Sequence, residues 1–187
     1  RLLFVYEILD PCRPDTQQIG LGGMARTAEI RTEASPDGSI IRNEDIREVK
    51  AWGRAKLVEA TGAIIGTVNL AFEDQSSVLA EALDQQVDGT LPDYEATGSS
   101  GTIHRIWLVT DPGAISRYQQ LLAHEPEAYV ADGNHRSAAA AMLGHESFLA
   151  VFFTADRMGI SPYNRLLRLN EGVEPGRLED VLATSFE

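Results

Sequence analysis

Residues 129–144 read YVADGNHRSAAAAMLG, and the fold is decided here. Residues 128–131 have the aromatic and β-branched content of a short strand, Asp132-Gly133 is a tight-turn dipeptide, and residues 134–143 run without a helix breaker to Gly144. A strand that turns directly into a helix belongs to a layered α and β architecture. The four alanines at 138–141 let that helix pack closely on a sheet.

The same turn carries the chemistry. Asn134, His135 and Arg136 fall in the first helical turn, where free backbone amides bear partial positive charge. Glycine lets a phosphate approach the backbone, and arginine can form two parallel hydrogen bonds to phosphate oxygens. Arg136 opposes the helix dipole at that position, a local conflict that a site built for an anion accounts for. The plainer alternative stands beside it: Asp132 caps the helix and Arg136 pairs with a surface carboxylate.

Upstream, residues 2–9 (LLFVYEIL) read as a buried strand stopped by Asp10-Pro11, with residues 19–32 as its antiparallel partner. Gly20, Gly22 and Gly23 at the entry to the second strand suggest a bulged hairpin, since no helix start follows them as a phosphate cradle requires. Residues 43–61 predict a helix capped by Asn43, with Ile46, Val49, Trp52 and Leu57 near helical spacing and Gly62 ending it. A strand at 64–72, a helix at 76–87 and a loop at 88–101 follow. Then come a strand at 103–110, a helix at 112–124 and a strand at 148–153. A strand at 161–169 and a helix at 175–186 complete the expectation. The fold class is α+β, in mixed α/β layers, as one domain over 1–187. The opening hairpin and helix occupy 1–62 and a phosphate-binding core occupies 63–187.

The chain has 16 Lys plus Arg against 28 Asp plus Glu, a net charge of −12. That balance disfavours nucleic acid and anionic membranes as partners. No Lys or Arg falls between Leu57 and His104, so that stretch predicts a solvated acidic surface. The single cysteine, Cys12, excludes an internal disulfide and a multi-cysteine zinc site, which fits a reducing cytoplasm. No apolar run reaches the roughly 18 residues a membrane span needs. The chain opens on Arg1 in a strand-like segment, as the interior of a longer protein does.

Three blocks in order, LVEATGAIIGTVNLAF at 57–72, IHRIWLVTDPGAI at 103–115 and ADGNHR at 131–136, resemble the bacterial and archaeal proteins of domain of unknown function family 1015. The opening LLFVYEIL and PYNRLL at 162–167 extend the likeness over nearly the whole chain, which corresponds to the middle of a family member. The family's turn is similar to the phosphate-binding turn of the ParB and sulfiredoxin-like superfamily. The resemblance therefore implies a ParB/sulfiredoxin-like core with an opening hairpin. It implies a phosphate- or nucleotide-binding turn of Asp132, Gly133, Asn134, His135 and Arg136, with His104 and Arg105 lining the same cleft. Some members of that superfamily phosphorylate free serine. The family's His-Glu-x-Thr block reads Asn43, Glu44, Asp45 and Ile46 here, so only Glu44 matches.

Chemistry narrows these options. Sulfiredoxin-type reduction needs a cysteine in the turn, and Asn134 stands there. ParB-type partitioning needs a basic helix-turn-helix, for which no segment exists. The expectation is a nucleotide- or phosphometabolite-binding protein, in its sharpest form a small-molecule kinase, with Glu44, His135 or Asp132 as the catalytic base. ATP or ADP with Mg²⁺ is the implied cofactor, and zinc, haem and flavin are not expected. A phosphatase-like enzyme and a non-catalytic sensing or scaffold domain are the alternatives. Trp52 and Trp107 read as packing residues, and oligomeric state is left open.

Overall fold

The computed structural model describes residues 2–159 and 176–177. The strand expected at 161–169, and all but two residues of the helix expected at 175–186, lie outside the described residues. No helix among those described is long and apolar enough to cross a membrane.

The chain runs β1 (Leu3–Leu9), β2 (Gln17–Arg26), β3 (Ile40–Ile41), α1 (Glu48–Thr61), β4 (Val68–Phe72), α2 (Val78–Gly89), β5 (Tyr94–Thr97), β6 (Ile103–Val109), α3 (Pro112–Leu122), β7 (Ala128–Asp132), α4 (Asn134–Met142) and β8 (Ser147–Thr154). The strands form one sheet in the order β3-β7-β4-β8-β2-β1-β6-β5. The β3–β7 and β4–β8 pairs are parallel and the other five are antiparallel, so the fold is mixed α+β.

Register places Val5 opposite Leu21, Leu21 opposite Phe152 and Phe152 opposite Leu70, all on one sheet face. That face joins Leu83 of α2, Ile115 and Tyr118 of α3 and Ala140 of α4 in a single core. Burying each large aliphatic or aromatic side chain there contributes about 1.5–3 kcal/mol before entropy is counted. α1 packs on α4 through Ala51 and Ala55, both fully buried, beside Ala138 and Ala139.

Several expectations are corrected. The glycines of β2 are not a bulge, since β1 and β2 pair in continuous register from Phe4–Gly22 to Leu9–Gln17. A Cβ on Gly22 would overlap the Phe4 ring, so the glycine makes room for an aromatic ring lying on the strand. The second strand ends at Arg26 in a short 3-10 turn, Thr27–Glu29, rather than at Thr32. The loop expected at 88–101 contains β5, an edge strand whose four residues are all exposed and so carry no apolar alternation. α1 starts at Glu48, not Asn43, and its N-cap Arg47 provides no side-chain bond. Trp52 is about half exposed, because α1 turns its alanines inward, whereas Trp107 is buried and donates its indole N–H to the Thr90 carbonyl at 3.0 Å. The acidic stretch is more than a solvated face. Asp74 accepts from the Ala80 amide, Asp93 from the Leu108 amide, and Asp84 forms a two-pronged ion pair with Arg157.

Candidate functional site

β7 ends at Asp132, and Gly133 turns the chain with φ 104° and ψ 23°, a left-handed conformation that favours glycine. The site asks for glycine on steric grounds too. A Cβ at 133 would sit 3.1 Å from the Val68 Cα and 3.1 Å from the Arg136 guanidinium. The Gly133 carbonyl accepts from the amides of Arg136 at 2.9 Å and Ser137 at 3.0 Å, and among the described residues no side chain caps α4. The Asn134 and His135 amides have no carbonyl a turn earlier in the helix to accept from them, as at any helix start.

Arg136 folds back over the turn. Its Nη2 donates to Asp132 Oδ2 at 2.6 Å, while its Nε is buried with no partner. Asp132 therefore does not cap the helix, but Arg136 does pair with an exposed carboxylate, that of Asp132 itself, as the plainer alternative expects. Asn134 is buried; its Nδ2 donates to Asn43 Oδ1, and its own Oδ1 is buried without a partner. His135 Nε2 accepts the Arg47 backbone N–H at 3.3 Å, which in the neutral ring puts the proton on Nδ1. That Nδ1 stands 3.7 Å from Glu44 Oε1.

Residues 42–46 reach this place through sheet order. β3 pairs in parallel with β7, Ile40 opposite Ala128 and Ile41 opposite Tyr129. The chain leaving β3 therefore emerges beside the end of β7, and such adjacent carboxyl ends of parallel strands commonly open a ligand crevice. Asn43, Glu44, Lys50, Arg54, Asp132 and Arg136 border a cleft of about 790 Å³ here. Gly53 lines it too, with nothing near the position of a Cβ, so the glycine that weakens the middle of α1 also leaves the cleft wall open. Lys50 and Arg54 escaped the sequence reading, although their i,i+4 spacing on one helix face was a legible signal. An open depression of about 420 Å³, lined by Arg42, Asn43, Glu44, Asp45 and Ile46, shares Asn43 and Glu44 with this cleft.

The structure does not bring His104 and Arg105 to this cleft. β6 lies five strand positions from β7, about 24 Å at ~4.8 Å per strand. His104 shares a 2.7 Å hydrogen bond with the Tyr6 hydroxyl and stacks on its ring. Arg105 donates to Glu95 at 2.7 Å and to Glu7 at 3.3 Å. The hydrogen bond to Glu95 raises the Arg105 pKa further, and burial of Glu7 beside it explains why an arginine stands there. Among the described residues no group of three His, Cys, Asp or Glu side chains converges on a metal position.

A family model described as "Protein of unknown function (DUF1015)" matches residues 2–187. No curated protein and no solved structure matches the chain.

Proposed function

The chain belongs to the DUF1015 family, and from the geometry of its turn we propose that it binds the phosphate of a nucleotide or small phosphometabolite and transfers a phosphoryl group to a hydroxyl. The observation that carries this reading is the α4 start, uncapped by a side chain among the described residues, opening beside Arg136 into a cleft that also holds Lys50 and Arg54. Helix-start amides, the cations Lys50 and Arg54, and Arg136 held over the turn by Asp132 suit an anionic ligand in a chain whose net charge is −12.

Transfer also needs a group to take the proton of the attacking hydroxyl. Of the three carboxylate and imidazole candidates, Asp132 is held by Arg136, and His135 Nε2 is occupied by the Arg47 amide. Glu44 accepts no hydrogen bond among the described residues and borders the cleft, so it is assigned the base role. The hydroxyl oxygen forms a new P–O bond as the bond to the departing nucleoside diphosphate breaks, and Glu44 receives the proton. Mg²⁺ bound with the nucleotide would neutralise phosphate charge and be held largely by the phosphate oxygens themselves.

Calorimetry with ATP, ADP and CTP in Mg²⁺ tests the binding. Saturable heat that Arg136→Ala removes is the expected result; absence of heat with every nucleotide, or equal heat from the variant, overturns it. A non-catalytic sensing domain is the second reading, favoured by Asn43 and Ile46 in the His-Glu-x-Thr block. Binding without turnover that Asn43→His with Ile46→Thr restores would select a decayed enzyme.

A further inference from the structure

Arg42 is the residue immediately after β3, and its Nε is buried without a hydrogen-bond partner. Arg136 has a similar orphan Nε, but Asp132 holds its guanidinium. Arg42 makes no ion pair or hydrogen bond among the described residues, although Glu44 and Asp45 line the same depression. Leaving a buried donor of a charged group unpaired is costly, and nearby carboxylates would ordinarily claim it. Burial also lowers the Arg42 pKa from its usual value. Pairing with β7 fixes the backbone just before Arg42, and the residue lines an open depression of about 420 Å³ that shares Asn43 and Glu44 with the cleft at the turn.

We propose that Arg42 is an anion-recognition residue of a second subsite, which binds a carboxylate or phosphate monoester on the molecule that accepts the phosphoryl group. Its acceptor role rests on the phosphotransfer reading above; the anion site itself does not. The substrate class is then a hydroxyl compound with an anionic group. Glu44 stands between the two subsites because it lines both the cleft and the depression, the place a base for the acceptor hydroxyl requires.

The test is NMR of the full chain, following the Arg42 Nε–Hε signal and the Asn134 and His135 amides separately during titrations with inorganic phosphate and with acetate. The expected result is a saturable shift at Arg42, with Arg42→Lys weakening the effect at the neighbouring Asn43 and Glu44 amides by at least about tenfold. Stronger response to acetate identifies a carboxylate acceptor, and stronger response to phosphate identifies a phosphate ester. In Arg136→Ala the Arg42 response persists while that of the α4 amides falls. Silent α4 amides with a responding Arg42 would remove the turn reading and keep the Arg42 site. An Arg42 signal that moves no more than that of the exposed Arg117 overturns the proposal.

Discussion

Glu44 Oε1 lies 3.7 Å from Nδ1 of His135, joining the segment that leaves β3 to the first turn of α4. His135 Nε2 is engaged by the Arg47 amide, so the imidazole is placed beside the carboxylate, which itself accepts no hydrogen bond among the described residues. Glu44→Gln keeps the shape and removes the base. Turnover is expected to fall at least about 100-fold, while nucleotide affinity by calorimetry changes less than about threefold. A comparable loss in both would assign Glu44 to binding instead.

Gly133 has two reasons to resist a side chain, its φ of 104° and its contacts with Val68 and Arg136. Gly133→Ala should cost about 1–3 kcal/mol in urea unfolding. Because the displaced group is the Arg136 guanidinium, nucleotide affinity should fall in the same variant. Unchanged affinity would detach Arg136 from binding.

Within β2, Gly22 leaves the Phe4 ring its place, and a Cβ there would overlap that ring. Gly22→Ala is expected to destabilise by about 1–3 kcal/mol. Combined with Phe4→Ala the two losses should be clearly less than additive, since removing the ring relieves the overlap that the new Cβ creates. A double-mutant cycle from denaturation midpoints measures this.

The α1–α4 seam makes a contrasting pair. Ala55 is 0% exposed and Val49 is 86% exposed. Overpacking at Ala55→Leu should cost about 1–3 kcal/mol, whereas Val49→Ala should stay within about 0.5 kcal/mol. Thermal unfolding distinguishes them, and the reverse order would mean that α1 presents its other face.

Glu125 has a raised pKa, first from burial and then from the charges of Asp74 and Glu73, with His124 pulling the other way. The folded state thus disfavours the ionised carboxyl. Stability relative to the Glu125→Gln variant is full below the ordinary value of 4.5 and is lost as pH rises through the raised one. Urea midpoints from about pH 4 to 7 should therefore fall for the native chain relative to that variant, and parallel curves would remove the burial argument.

Where the residues carried their own local instructions, the reading from sequence and the structure agree. The expected strand at 103–110 and helix at 112–124 appear as β6 and α3, and the Asp111 side chain caps α3 at the Ala114 amide. The misreadings share a cause. β5 pairs at the edge of the sheet with all four residues exposed, so no alternation marked it. The buried face of α1 consists of alanines rather than of Val49 and Trp52, because it meets another small-residue helix at close range. A periodicity argument weights large apolar side chains and so chose the wrong face.

The turn at Asp132 to Arg136 could be read from sequence because its ingredients are local: a glycine free to adopt positive φ, and the amides of a helix start. Its neighbours could not. Strand order decided that residues 42–46 emerge beside it and that His104 and Arg105 sit at a distant part of the sheet. Backbone preference acts over a few residues, whereas pairing between strands far apart in the chain is set by collective burial, which no single segment encodes.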